Sequence, residues 1–99
     1  MVFEGAVVER LKSINPAAVP VFQRATEAGD RLDLEAARAG YLETLALAPD
    51  FPDALRRLSA AESRLGQIEP AIAHARRAVA IDRSGYNLSA LAEALSASK

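Results

Sequence analysis

Apolar residues recur along this chain at intervals of three and four, the period of a helix that buries one face, and no run alternates apolar and polar residues as a half-buried strand does. Six segments carry the pattern. The first spans Val2 to Ile14, with Phe3, Val7, Leu11 and Ile14 on one face, and stops at Asn15 and Pro16, since the residue before a proline is pushed away from helical angles. A second helix is expected from near Pro20, in a first turn where its missing N–H costs nothing, through Phe22, Ala25 and Ala28 toward Asp30, with Gly29 weakening its last turn. Asp33 is placed to cap a third helix that buries Leu34, Ala37, Tyr41, Leu45 and Leu42 and is stopped by Pro49. Asp50 as cap and Pro52 in the first turn open a fourth, on Leu55, Leu58 and Leu65, which Gly66 ends. The fifth runs near Ile68 to Asp82 on Ile68, Ala71, Ile72, Ala75, Ala78 and Val79, with Pro70 in its first turn. Ser84 caps a sixth, whose stripe is Leu88, Leu91, Ala92 and Leu95. The expected class is all-α.

The segment Asp33 to Pro49 has a counterpart, Gln67 to Arg83, displaced by 34 residues. The same shift places Val21 on Leu55, Ala25 on Ser59, Leu34 on Ile68, Glu35 on Glu69, Ala37 on Ala71, Leu45 on Val79 and Leu47 on Ile81, and the helix boundaries coincide as well. A repeat of this length means stacked helical hairpins. Small side chains at Ala37, Ala71 and Ala78 let helices approach, large ones fill the space between hairpins, and each hairpin buries its face only by stacking on the next.

The chain from about Ala18 onward resembles the tetratricopeptide repeat family, whose unit is a helix–turn–helix of 34 residues. Leu55, Leu58, Ser59, Gly66, Ile68, Ala71 and Ala78 occupy family positions in the second unit, which departs at Glu62 (for a large residue) and Arg83 (for a closing Pro). In the first unit Val21, Ala25, Leu34, Ala37, Tyr41 and Pro49 fit, while Arg24, Leu32 and Thr44 replace Leu, Gly and Ala. The resemblance implies an α-α superhelix of about six helices in one domain. Residues 1–16 would be an amino-terminal capping helix that packs Phe3, Val7 and Leu11 on Phe22; 18–51 and 52–84 would be the repeats; 85–99 would be a solvating helix or half repeat. An array needs roughly three units and covered ends. A small monomer or dimer closed by its terminal helices is expected; self-association across an open end, or excision from a longer array, would also meet the need.

Composition narrows the chemistry. With 99 residues the chain makes one small domain, and 51% hydrophobic against 25% charged residues is ordinary for a globular protein. A net charge of −1 argues against nucleic acid or an anionic membrane as partner, and the lack of cysteine excludes disulfides and thiolate metal sites. No apolar run reaches the length of a bilayer span, and Glu4 and Glu9 stand where a secretory signal carries basic charge, so the cytoplasm is the expected location.

No catalytic constellation stands out. The lone His74 is expected to be solvated, opposite the Ala71, Ala75 and Ala78 stripe, without companions to bind metal. Glu35, Glu43, Asp50 and Asp53 are expected as caps and solvated faces. The expectation is a non-enzyme without cofactor or metal. In the family the first helices of the units line a groove, which implies Phe22, Gln23 and Thr26; then Asp53, Arg56, Arg57, Ala60, Ser63 and Arg64; then Tyr86, Ser89, Ala90 and Glu93 as its surface. Arg56, Arg57 and Arg64 stand together and suit a carboxylate or acidic peptide held by forked hydrogen bonds, with Phe22 and Tyr86 as flat apolar contacts; equally, they suit a solvated face partnered by Glu62 and Asp53. Some family members clamp a terminal carboxylate of chaperone peptides with Lys and Asn, but Ala60 stands at one expected Asn position, so that specificity does not carry over. The implied role is protein–protein interaction, as a peptide-binding scaffold. A structural or homodimerising domain, or a piece of a larger multidomain protein, is the alternative.

Overall fold

The computed structural model describes the backbone of residues 2–99 and the side chains from Glu4 on. Six helices follow one another: α1 (Val2–Ile14), α2 (Ala18–Asp30), α3 (Leu34–Leu47), α4 (Pro52–Arg64), α5 (Ile68–Ile81) and α6 (Gly85–Ala97), with no strand among the described residues. The pairs α2–α3 and α4–α5 form hairpins, α3 packs on α4, and α6 packs on both α4 and α5. This is the all-α array of helical hairpins that the sequence pattern implies. Its radius of gyration, 12.3 Å, matches the ~13 Å of a compact globule of this length, so two hairpins and a half do not yet extend into a solenoid.

The repeat is visible in the backbone. At the turn of the first hairpin the N–H of Asp33 donates to the carbonyl of Ala28 at 2.9 Å, and 34 residues on the N–H of Gln67 donates to that of Glu62 at 2.8 Å. Between them stand the two residues of positive φ, Leu32 at 62° and Gly66 at 82°. Glycine takes that angle without a Cβ penalty; leucine does so against it, and its side chain lies 76% exposed.

Several helix ends differ from expectation. The second helix begins at Ala18, so Pro20 is its third residue rather than its first, still within the turn whose N–H groups lack intrahelical acceptors. Asn15 makes the turn: its side-chain oxygen accepts from Ala17 N at 3.1 Å and its amide donates to the Leu47 carbonyl at 3.0 Å, tying the α1–α2 link to the end of α3. Phe51, not Asp50, holds the cap position of α4 and is buried, whereas Asp50 reaches Arg77 at 2.7 Å. Asp33 and Ser84 cap α3 and α6 as anticipated, accepting from Ala36 N and Asn87 N.

The core joins Val7, Leu11, Phe22, Tyr41, Phe51 and Leu58 with the alanines between them. Phe22 meets Phe51 edge-on at 5.5 Å between centroids and Tyr41 at 5.7 Å. Val7 and Leu11 are buried as expected, but Ile14 is exposed at the end of α1, and Phe3 lies outside the described side chains. In α3 the buried face is Ala37, Tyr41 and Thr44, with Leu34 and Leu45 half-buried and Leu42 exposed. Thr44 serves as a small apolar residue because its hydroxyl donates to the Gly40 carbonyl one turn back, at 2.8 Å. The α6 stripe is rotated from the expected one. Asn87, Ala90 and Ala94 are buried, Leu91 half-buried, and Leu88, Ala92 and Leu95 exposed. Asn87 anchors this face: its amide donates to the carbonyls of Asp82 (2.6 Å) and Ala78 (3.4 Å) at the end of α5, which fixes Asn87 inward and leaves Leu88 and Leu95 outward.

Candidate peptide groove and its resident helix

The positions expected to line a groove lie on α2, α4 and α6, and α1 is seated on the first part of it. Its register, Glu4, Val7, Arg10 and Leu11, puts four side chains on one face through steps of three and four. Val7 and Leu11 are fully buried in the cluster that contains Phe22, Phe51, Ala54 and Leu58. Each such aliphatic side chain contributes about 1.5–3 kcal/mol by leaving water. The two charges bracket this apolar contact. Arg10 donates to Asp53 at 3.0 Å, and Glu4 receives the fork of Arg57, Nη2 to Oε1 at 2.7 Å and Nη1 to Oε2 at 3.0 Å.

Arg57 is held on several sides, its side chain 17% exposed. Its Nη1 also donates to Thr26 Oγ1 at 3.0 Å, and its guanidinium stands 4.9 Å from the centre of the Phe22 ring, within cation–π range. Thr26 Oγ1 in turn lies 3.0 Å from the Tyr41 hydroxyl. Three ionisable groups are shifted by the arrangement. The hydrogen bond from Arg57 holds the Glu4 carboxyl below its usual value, against desolvation. Burial works to lower the Arg57 value, but the Glu4 hydrogen bond and the Tyr41 and Glu4 charges outweigh it, and the net shift is upward. Burial raises Tyr41, partly offset by Thr26 and Arg57.

Arg56 faces the other way, toward α6. It pairs with Asp53 at 2.9 Å, donates to Asn87 Oδ1 at 3.2 Å, and stands 5.6 Å from the centre of the Tyr86 ring. Arg64 reaches Glu93 at 3.5 Å in an exposed pair. Asp53, expected as a cap or on a solvated face, instead sits between Arg10 and Arg56 while only 3% exposed, a buried charge with a cation on each side.

The predicted groove residues therefore divide. Phe22 is wholly buried beneath α1 and presents no flat face to a ligand in this arrangement; Thr26, Asp53 and Arg57 are engaged by α1 or by one another. Gln23 and Ser89 are exposed, and Arg56, Arg64, Tyr86 and Glu93 form the rim between α4 and α6. Of the two expected partners for the arginines, Asp53 is one, but Glu62 is not. Glu62 is 1% exposed and lies 2.7 Å from His74 Nδ1. The expectation of a solvated His74 is corrected accordingly: its side chain is 27% exposed, because three residues from Ala71 and four from Ala78 set it at the edge of the buried stripe, within reach of α4. Past Glu4 a cleft of about 450 Å³ continues between α2 and α4, floored by Ala37 and Tyr41 and flanked by Arg57 and Arg64. Here α2 and α4 do not approach as closely as α4 and α6 do.

Sequence reasoning did not single out Glu4, Arg10 and Asn87 as groove residues. The signal for the first two was present as charge complementarity, an acid, an aliphatic, a base and an aliphatic in order along a helix that packs against Arg57 and Asp53. Among the described residues no cluster of His, Asp and Glu is arranged to hold a metal ion, and no helix is long and apolar enough to cross a membrane. No family model, curated protein or solved structure matches this chain.

Proposed function

We propose that this chain is a non-catalytic interaction module of tetratricopeptide type, and that it binds an acidic peptide segment in the groove of α2, α4 and α6. The observation that supports this reading most directly is the fork of Arg57 around the Glu4 carboxylate beside an apolar surface, since it is the chemistry an acidic partner needs. Arg56 and Arg64 extend positive charge along the same helix toward the open rim. A cytoplasmic setting belongs to the same proposal and rests on the sequence alone. The test is selection of acidic peptides from a displayed library on the immobilised chain, followed by titration of each with the wild type and with Arg56→Ala/Arg57→Ala. Loss of binding in the double variant, with the helical circular dichroism retained, is the expected result; unchanged affinity refutes the groove as the site.

A structural or dimerising role is the second reading. It is favoured by the outward turn of Leu88 and Leu95 on α6, 39% and 38% exposed, at the side where a further hairpin would stack. Sedimentation equilibrium that returns a strict monomer over a broad concentration range removes it.

A further inference from the structure

The segment seated in the groove belongs to the chain itself, and the manner of its seating specifies what else fits there. Helix α1 meets the array through one face only. Gly5 and Ile14 are exposed, Arg10 keeps a side chain 54% exposed, and the link to α2 is the short turn at Asn15. What holds it is a linear code: a carboxylate at Glu4, an aliphatic three residues on at Val7, a base three further at Arg10 and a second aliphatic at Leu11. Each member has a complement fixed by the array without α1. Arg57 is aimed by Thr26 and Phe22, and Asp53 by Arg56. A receptor surface already ordered by its own contacts loses little entropy when the occupant is exchanged.

We infer that α1 is a resident pseudo-ligand, and that the partner of this groove is an amphipathic helix of another protein carrying the same pattern, Glu-x-x-aliphatic-x-x-basic-aliphatic, which binds by displacing α1. This rests on the groove reading above and makes it specific: the recognised segment is helical, its acidic residue precedes the first aliphatic, and its base stands between the first aliphatic and the second. Charge complementarity separates this occupant from a purely apolar one, because an apolar helix would leave Arg57 without its carboxylate and the buried Asp53 with one of its two cations.

A reciprocal charge experiment tests it. The probe is a fluorescein-labelled synthetic peptide with the sequence of α1, Val2–Ile14, titrated into the full chain by anisotropy. Displacement predicts opposite signs for one substitution in two places. Glu4→Gln in the chain loosens the resident helix and tightens peptide binding by roughly tenfold, since the binding-competent fraction rises. The same change in the peptide weakens binding by a similar factor, and Arg57→Ala in the chain abolishes the peptide's preference for Glu over Gln. If Glu4→Gln lowers the melting temperature too far for titration, Arg10→Gln in the chain tests the other end and is expected to tighten binding likewise. Equal affinity of the peptide for wild type and both loosened chains overturns displacement, as does failure to bind either. In those cases acidic peptides of other pattern that still need Arg56 and Arg57 would leave the groove reading standing. If the loosened chain instead dimerises in sedimentation and the peptide dissociates the dimer, the occupant is α1 of a second copy, and the choice of a separate partner is overturned.

Discussion

Replacing His74 with alanine probes a carboxylate that the array encloses almost completely. Glu62 is 1% exposed on α4, and His74 Nδ1 lies 2.7 Å from its Oε1 on α5, a contact that needs one proton between the two atoms. His74→Ala removes that partner and leaves the buried carboxyl without its hydrogen bond. Loss of a partner by a buried polar group costs about 1–3 kcal/mol, and breaking a buried ion pair about 3–5 kcal/mol. The imidazole is itself 27% exposed, so its removal opens a path for water to the carboxyl, and the lower range applies: about 2 kcal/mol. In a domain of this size that lowers Tm by roughly 8–16 °C. The double variant Glu62→Leu/His74→Ala replaces the pair by apolar side chains at a position where the repeat pattern calls for a large residue. It is expected to recover most of the loss, since exchanging a buried polar pair for packed hydrophobes is often neutral or stabilising. Thermal and urea unfolding of the wild type, both single variants and the double variant close a thermodynamic cycle. A His74→Ala chain within about 0.5 kcal/mol of wild type, or a double variant no more stable than it, refutes the role given to this contact.

Two glycines of the first hairpin carry opposite expectations. A Cβ on Gly40 would stand 2.6 Å from Ala25 Cβ and 3.1 Å from its Cα, so α2 and α3 must separate; that overpacking costs about 1–3 kcal/mol and outweighs the ~1 kcal/mol gained in helix propensity, and Gly40→Ala lowers the urea midpoint. At Gly29 the added atom meets only Ala37 Cβ at 3.8 Å, so Gly29→Ala raises the midpoint by the equivalent of about 0.5 kcal/mol; equal signs for the two variants contradict the close approach. The Glu4 carboxyl, held low first by the Arg57 hydrogen bond, titrates below its ordinary 4.5 in the folded chain, so its contribution is present above that pH and is lost as the pH falls through the folded value. Carbon-13 NMR of the Glu4 carboxyl is expected to give a midpoint under 4.5 in the wild type and no depression in Arg57→Ala, and an undepressed wild type contradicts the fork.

How far the sequence reaches depends on whether a residue's fate is set by its own helix or by a neighbour across the array. Period and spacing are properties of one helix, and from them the six segments, the displacement by 34 and the hairpin turns follow; Gly66 at positive φ is where a helix end needs glycine. Leu32, in the equivalent place, takes a similar angle against a Cβ penalty, so the turn recurs where the residue type alone does not announce it. Departures from the pattern mark the places where a second helix decides. Glu62 departs from the pattern of the second unit and is partnered by His74 from α5, and Asn87 displaces the leucine stripe because its amide bonds to carbonyls at the end of α5. The candidate site follows the same rule. Arg56, Arg57 and Arg64 were legible as a cationic row because they share one helix, whereas the fact that one of them already holds a carboxylate depends on where α1 folds back, and no spacing within α4 encodes that. Yet α1 carries the complementary order, acid, aliphatic, base, aliphatic, against a groove offering cation, apolar floor and anion. Matching that order between segments, rather than seeking clusters within one, is the step that locates a resident helix and the kind of helix that can replace it.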